Sequence, residues 1–322
     1  MNNAPAGDKP SAASSKLASN KVLHGMVWAA AAGLCFSVLN TVMRQLAIDL
    51  PPIQALFLRY IAGLVVWMPM LLRVGVGHFK SNHLSGQIGR GVVHTAGLAV
   101  WFIALPNLPL ADTTAIGFTM PVFIMLGATL FLGERMVAAR WIAVGLGFLG
   151  VLIVVGPKMG GSDEAYALLM LCSTPLFAGS FLIAKMLTRY DKPSVIVFWQ
   201  ALLVSLMALP FAAWVWVAPN LIQWGWVLLA GCLGSFGHWC LTRAYQMADI
   251  SAAQPVKFLD LVWASLLGFL VFGDAPAIAT IVGGVVIVMG TIWAARQASS
   301  PIPIQSESEA PPQSKSVKGD HS

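Results

Sequence analysis

The chain has 322 residues, of which 57% are hydrophobic and only 10% charged, with a mean hydropathy of +0.77; a soluble domain carries about 25% charged residues. That balance excludes a soluble globular protein and defines an all-α integral membrane protein. The formal charge of +6 comes from basic residues dispersed among apolar segments with no stripe or patch, which excludes nucleic acid as a partner.

In chain order, residues 1–21 are rich in Ala, Ser and Asn and lack a short apolar core with a cleavage site, so they read as a disordered tail. Ten apolar windows of membrane-spanning length follow, predicted as helices over residues 22–46, 52–74, 88–106, 110–132, 138–156, 165–188, 193–216, 222–246, 250–272 and 276–296. Short breaks separate them, marked by Pro51-Pro52, Gly156-Pro157, Lys192-Pro193 and Gly273-Asp274-Ala275-Pro276. Residues 297–322 are Ser, Pro and charge, and read as a second disordered tail. Cys35, Cys172, Cys232 and Cys240 fall singly in apolar windows, without metal-ligand spacing. No metal, no cofactor and no directly used ATP are expected, since GxxxxGK[ST] is absent.

The ten windows divide into two copies of five. Placing Phe36 through Arg59 on Phe177 through Gln200 superposes Phe36 on Phe177, Arg44 on Lys185, Pro52 on Pro193 and Phe57 on Phe198. The segment from Ala111 likewise matches the one from Ala248: both open Ala-Asp and close on Gly followed by an acid. An odd number of spans per copy inverts the second relative to the first. With both termini cytoplasmic, Arg73, Lys80, Arg90, Arg135, Arg140, Lys185, Arg189, Lys192 and Arg243 fall inside, while Arg44 and Lys158 remain outside. The expected organisation is thus two inverted five-helix repeats, 22–156 and 165–296, with a solute site between them near the midplane.

The stretches FLRYIAGLVVWMP in the second window, LPLADTTAIGFTMPVFIMLGATLFLGERM leading into WIAVGLGFLGVLIVVGP, and the closing LLGFLVFGD resemble the EamA-type transporters of the drug/metabolite transporter superfamily. The resemblance covers nearly all of the chain between the tails. It implies a multi-pass carrier of the cell inner membrane that moves a small polar or amphipathic metabolite by alternating access: an amino acid, nucleoside or vitamin, with riboflavin and S-adenosylmethionine as specific alternatives. A non-transporting structural or sensor subunit is the competing class. An enzyme is not expected, because nucleophile, base and metal-ligand types are scattered one per span.

Ionisable groups inside a membrane cost about 2.5–3.5 kcal/mol each at a helix centre, so each requires a partner or a wet cavity. Lys257 and Asp260, one turn apart, either neutralise one another or bind the charged groups of a solute. Arg59 either clamps a carboxylate or phosphate with its planar fork or holds helix-end carbonyls. His94 and His238 either shuttle protons or bond across helices. Asn40, Trp101, Thr119, Trp199, Gln200 and Trp263 are candidate polar and aromatic surface for an organic solute. Gly145, Gly147 and Gly150 in the fifth window, with Gly283, Gly284 and Gly290 in the tenth, form either a homodimer seam or internal packing.

Overall fold

The computed structural model describes residues 12–133, 142, 145–146, 149, 152–153, 164–247, 250 and 259–298. The main helices there are α1 (Ala12–Asp49), α2 (Pro52–Val74), α3 (Leu84–Ala104), α4 (Leu110–Gly117), α5 (Met120–Leu132), α6 (Glu164–Leu187), α7 (Pro193–Trp214), α8 (Leu221–Met247), α9 (Leu259–Leu267) and α10 (Ile278–Ala298). Five of them are long and apolar enough to cross a membrane, so the chain is a multi-pass membrane protein. Most of the fifth predicted window, and the start of the ninth with Lys257, lie outside the described residues.

The helix ends follow from backbone chemistry. Pro52 and Pro193 stand in the first turns of α2 and α7, where a missing N–H costs nothing. Gly133 after α5 and Gly273 after α9 both take left-handed conformations, φ +70° and +72°, which a side chain disfavours. These two glycines are the ones that the repeat alignment equates. At the amino end, α1 reaches back to Ala12 rather than beginning at residue 22. The residues it adds, AASSKLASNK, contain no proline, and elongating an established helix is far cheaper than nucleating one.

The predicted span 110–132 is not one helix. It breaks at Phe118 and Thr119 between α4 and α5. Pro121 has no N–H to give to the carbonyl of Gly117, and Thr119 closes the turn by giving its own N–H (3.0 Å) and its hydroxyl (2.8 Å) to Ile116 O. The same hydroxyl lies 2.8 Å from Thr174 Oγ1, and by sharing its one proton between Ile116 O and Thr174 Oγ1 it ties the break to α6. There the hydroxyl of Thr174 donates at 2.8 Å to Leu171 O, the carbonyl that Pro175 leaves without its helical donor.

Packing runs between the repeats. The most extensive helix pairs are α1 with α8 and α3 with α6, and α2 lies against α7 and α8. Exchanging the repeats turns α1 into α6 and α8 into α3, so the two largest pairs interchange. Of the glycines in the fifth and tenth windows, Gly283 and Gly284 of α10 are buried within this same chain and Gly145 is exposed; Gly147 and Gly150 lie outside the described residues.

Two linkers are fixed by side chains that replace backbone partners. Asp191, between α6 and α7, accepts from Ser81 Oγ (2.6 Å), Asn82 N (2.8 Å) and Gln87 Nε2 (2.9 Å) before and within the first turn of α3. At the opposite end, Gln54 exchanges two hydrogen bonds with Val217, giving to its O (2.5 Å) and accepting from its N (2.8 Å). Arg44 of α1 forms an ion pair with Asp274, beyond α9, and its guanidinium lies 4.3 Å from the centroid of Phe272.

Candidate functional site: a cavity between the repeats

A cavity of about 150 Å³ lies where the broken segment meets helices of both repeats. Its wall takes residues from α1, α2, α3, the α4–α5 break, α6, α8 and α9. Six of the predicted site residues share that wall: Asn40, Arg59, His94, Trp101, His238 and Asp260.

Arg59 is buried, 4% exposed, with its guanidinium carbon 4.3 Å from the centroid of the Tyr60 ring. Room for it exists because position 234 is glycine: a Cβ there would stand 2.8 Å from Nη2 and 2.9 Å from Nε. Asp260 depends on a glycine in the same way, since a Cβ at Gly33 of α1 would collide with Oδ1. Two glycines thus admit the two charged side chains of the wall.

His94 sits between two hydroxyls, with Tyr60 Oη 3.0 Å from Nε2 and Ser180 Oγ 3.0 Å from Nδ1. A hydroxyl serves as donor or acceptor, so either tautomer is satisfied and the ring proton can sit on either nitrogen. The His238 ring centroid is 5.4 Å from that of His94 and 4.9 Å from that of Phe36. Behind His238, Gln200 Nε2 lies 3.4 Å from His238 Nε2, and Arg90 donates to Gln200 Oε1 (2.5 Å) and Ile196 O (3.1 Å).

The remaining predicted residues stand elsewhere. Thr119 holds the break to α6, Gln200 forms the layer behind His238, and Trp199 donates from Nε1 to Phe79 O at 2.8 Å, away from the cavity. Trp263 is half-buried on α9 and does not line the cavity. Arg90, counted among the cytoplasmic-side basic residues, is 1% exposed inside α3, which begins at Leu84 rather than residue 88.

Sequence reasoning missed the aromatic wall of Phe36, Phe118, Phe177 and Phe181. A signal for half of it was present: the repeat alignment equates Phe36 with Phe177, and both line the cavity. The same alignment equates Arg59 with Gln200. Arg59 of α2 packs on Gly234 of α8, while Gln200 of α7 receives Arg90 from α3, so each crossing holds one guanidinium carried by opposite members of the pair.

A helical membrane bundle with a cavity walled by both of its halves, and with Arg59, His94, His238 and Asp260 on that wall, fits a solute carrier. The chain belongs to the EamA-like transporter family, whose model matches residues 23–156 and 165–296. It is 34% identical to a riboflavin transporter of Rhizobium johnstonii over 86% of this chain and 92% of that protein. It is 23% identical to an S-adenosylmethionine uptake transporter of Rickettsia prowazekii over 84% of this chain and 92% of the relative. A solved crystal structure superposes with a TM-score of 0.62 at 19% identity, covering 88% of this chain and 99% of that one, and shares its fold. The protein is a small-metabolite transporter and not an enzyme.

Proposed function

We propose that the protein carries a flat heteroaromatic metabolite, riboflavin first among candidates, across the cell inner membrane by alternating access of two inverted five-helix repeats. The observation that carries the reading is the wall in which Phe36, Trp101, Phe118, Phe177 and Phe181 surround polar groups of opposite charge, Arg59 and Asp260. Aromatic faces take ring systems by stacking, and a few convergent polar groups set their orientation. The similarity to a riboflavin transporter supports the same class.

The size of the cavity supports alternation. About 150 Å³ is the space of a single benzene-sized ring, so a tricyclic solute extends beyond it, in keeping with a wall that rearranges. S-adenosylmethionine is the second reading, favoured by the presence of both a cation and a carboxylate in one cavity, as a zwitterionic end demands.

The test is uptake of radiolabelled riboflavin and S-adenosylmethionine into vesicles containing the purified chain. Riboflavin is expected to accumulate and to be displaced by excess unlabelled riboflavin; transport of S-adenosylmethionine alone selects the second reading. Orientation is checked with reporters: a cytoplasmic signal is expected after Ser322 and an external one between Gly160 and Ser162. A cytoplasmic signal from the latter overturns the inverted arrangement.

A further inference from the structure

Two guanidiniums are buried in the middle of this bundle, and the protein satisfies them unequally. Arg90 gives Nη1 to Ile196 O and Nη2 to Gln200 Oε1, although its Nε has no partner among the described residues. Arg59 also has an Nε without a partner among the described residues, yet it borders the cavity. Leaving a buried charged group short of acceptors costs several kcal/mol, and acceptors brought into the cavity remove that cost.

The surroundings confine Arg59. The Tyr60 ring centroid lies 4.3 Å from its guanidinium carbon, and Gly234 leaves room beside Nη2 and Nε. A guanidinium held on a ring face keeps its in-plane donors for a planar partner with two adjacent acceptors.

The geometry points to Arg59 as the anchor for the acceptor edge of an uncharged, flat heteroaromatic ring: a carbonyl oxygen and the neighbouring ring nitrogen, taken together by the planar fork. This rests on the heteroaromatic reading above and specifies which edge of the solute is recognised. The ring is favoured by the aromatic wall around Arg59. An uncharged edge follows from the same wall: rings that stack on a flat neutral solute leave its rim carbonyl and ring nitrogen as the groups that meet Arg59.

Isothermal titration calorimetry on the purified full-length protein compares three tricyclic probes. Lumichrome carries the double-acceptor edge at its C4 carbonyl oxygen and N5, phenazine has the flat ring without a carbonyl, and phenazine-1-carboxylate adds an anion. Lumichrome is expected to bind at least about tenfold more tightly than phenazine, as sites built to hydrogen-bond a group reject analogues that lack it. Arg59→Lys and Gly234→Ala should each bring lumichrome down to the level of phenazine and leave phenazine unchanged. Gly225→Ala, on the same helix with open space around it, should alter none of the three. If Gly234→Ala does not fold, Arg59→Lys carries the comparison. Equal binding of lumichrome and phenazine to the unaltered protein overturns the anchor while leaving the aromatic reading intact. Tightest binding by phenazine-1-carboxylate overturns it in favour of an anion clamp. Absence of binding by all three overturns the aromatic reading and the anchor with it.

Discussion

A buried guanidinium either stabilises a fold or serves a ligand, and at the residue scale Arg90 and Arg59 divide those roles. Arg90→Met strands Gln200 Oε1 and Ile196 O. Hydrogen bonds to charged groups contribute about 1.5–3 kcal/mol each, so this variant should lose about 3 kcal/mol, read as a fall in the thermal midpoint in detergent. Arg59→Met removes a group that borders the cavity, and should keep or raise the midpoint while abolishing uptake, as happens where function holds a site in an unfavourable state. An unchanged midpoint for Arg90→Met contradicts the division. Gly33→Ala tests Asp260 in the same spirit: the added methyl displaces the carboxylate, so uptake should fall at least about tenfold with the membrane level kept, whereas Gly225→Ala should match the unaltered protein. Equal uptake by both variants shows that the position of Asp260 is immaterial. The cost of an intramembrane charge led sequence reasoning to Arg59, Asp260 and both histidines. Gln200 and Thr119 were selected separately, as polar surface for an organic solute, and they bond to neighbouring helices instead. The phenylalanines carried no such cost and escaped it.

At the scale of elements, the decisive feature is the interruption between α4 and α5. A hydropathy window averages over it, and the span 110–132 reads as one continuous helix. Gly117 and Pro121, one turn apart, are the local record of the break, and both line the cavity. The break leaves the carbonyl of Gly117 without the donor that a residue at 121 would supply in a regular helix. Pro121→Ala restores that N–H and should favour a continuous helix. It is expected to preserve or raise the thermal midpoint, since the restored backbone hydrogen bond contributes about 0.5–1.5 kcal/mol, and to reduce uptake by moving Phe118 and Met120 out of the wall. Normal uptake alongside a higher midpoint shows that the interruption is dispensable. Chain composition made the helical class legible, and prolines marked the starts of α2 and α7. The amino end of α1 was less legible, because a polar Ala/Ser sequence extends a helix that an apolar neighbour has already nucleated.

At the scale of the whole molecule, the cross-repeat pairs α1 with α8 and α3 with α6 set the cavity between two similar halves, and opening it to one side requires contacts at that end to part. The Arg44–Asp274 ion pair is such a contact. It lies one turn beyond Asn40 on α1, about 6 Å along the axis, and joins α1 to the segment that follows α9, on the side of Asn40 away from Gly33. Both side chains keep contact with water, 12% and 22% exposed, and a water-accessible pair contributes up to about 1 kcal/mol, equivalent to about fivefold in the ratio of closed to open states. Labelling of Asn40→Cys by a membrane-impermeant thiol reagent, in a background with the four native cysteines replaced by serine, reads that ratio directly. Arg44→Gln or Asp274→Asn should speed labelling about fivefold, and the exchanged double variant Arg44→Asp with Asp274→Arg should return it most of the way, because the attraction survives the swap even though the contact with Phe272 does not. Riboflavin uptake by the same variants separates a gate from a brace: a gate changes the rate of transport while the protein remains fully inserted, and a brace lowers the amount of inserted protein. Identical labelling rates in all four proteins mean that the pair does not govern access at this end.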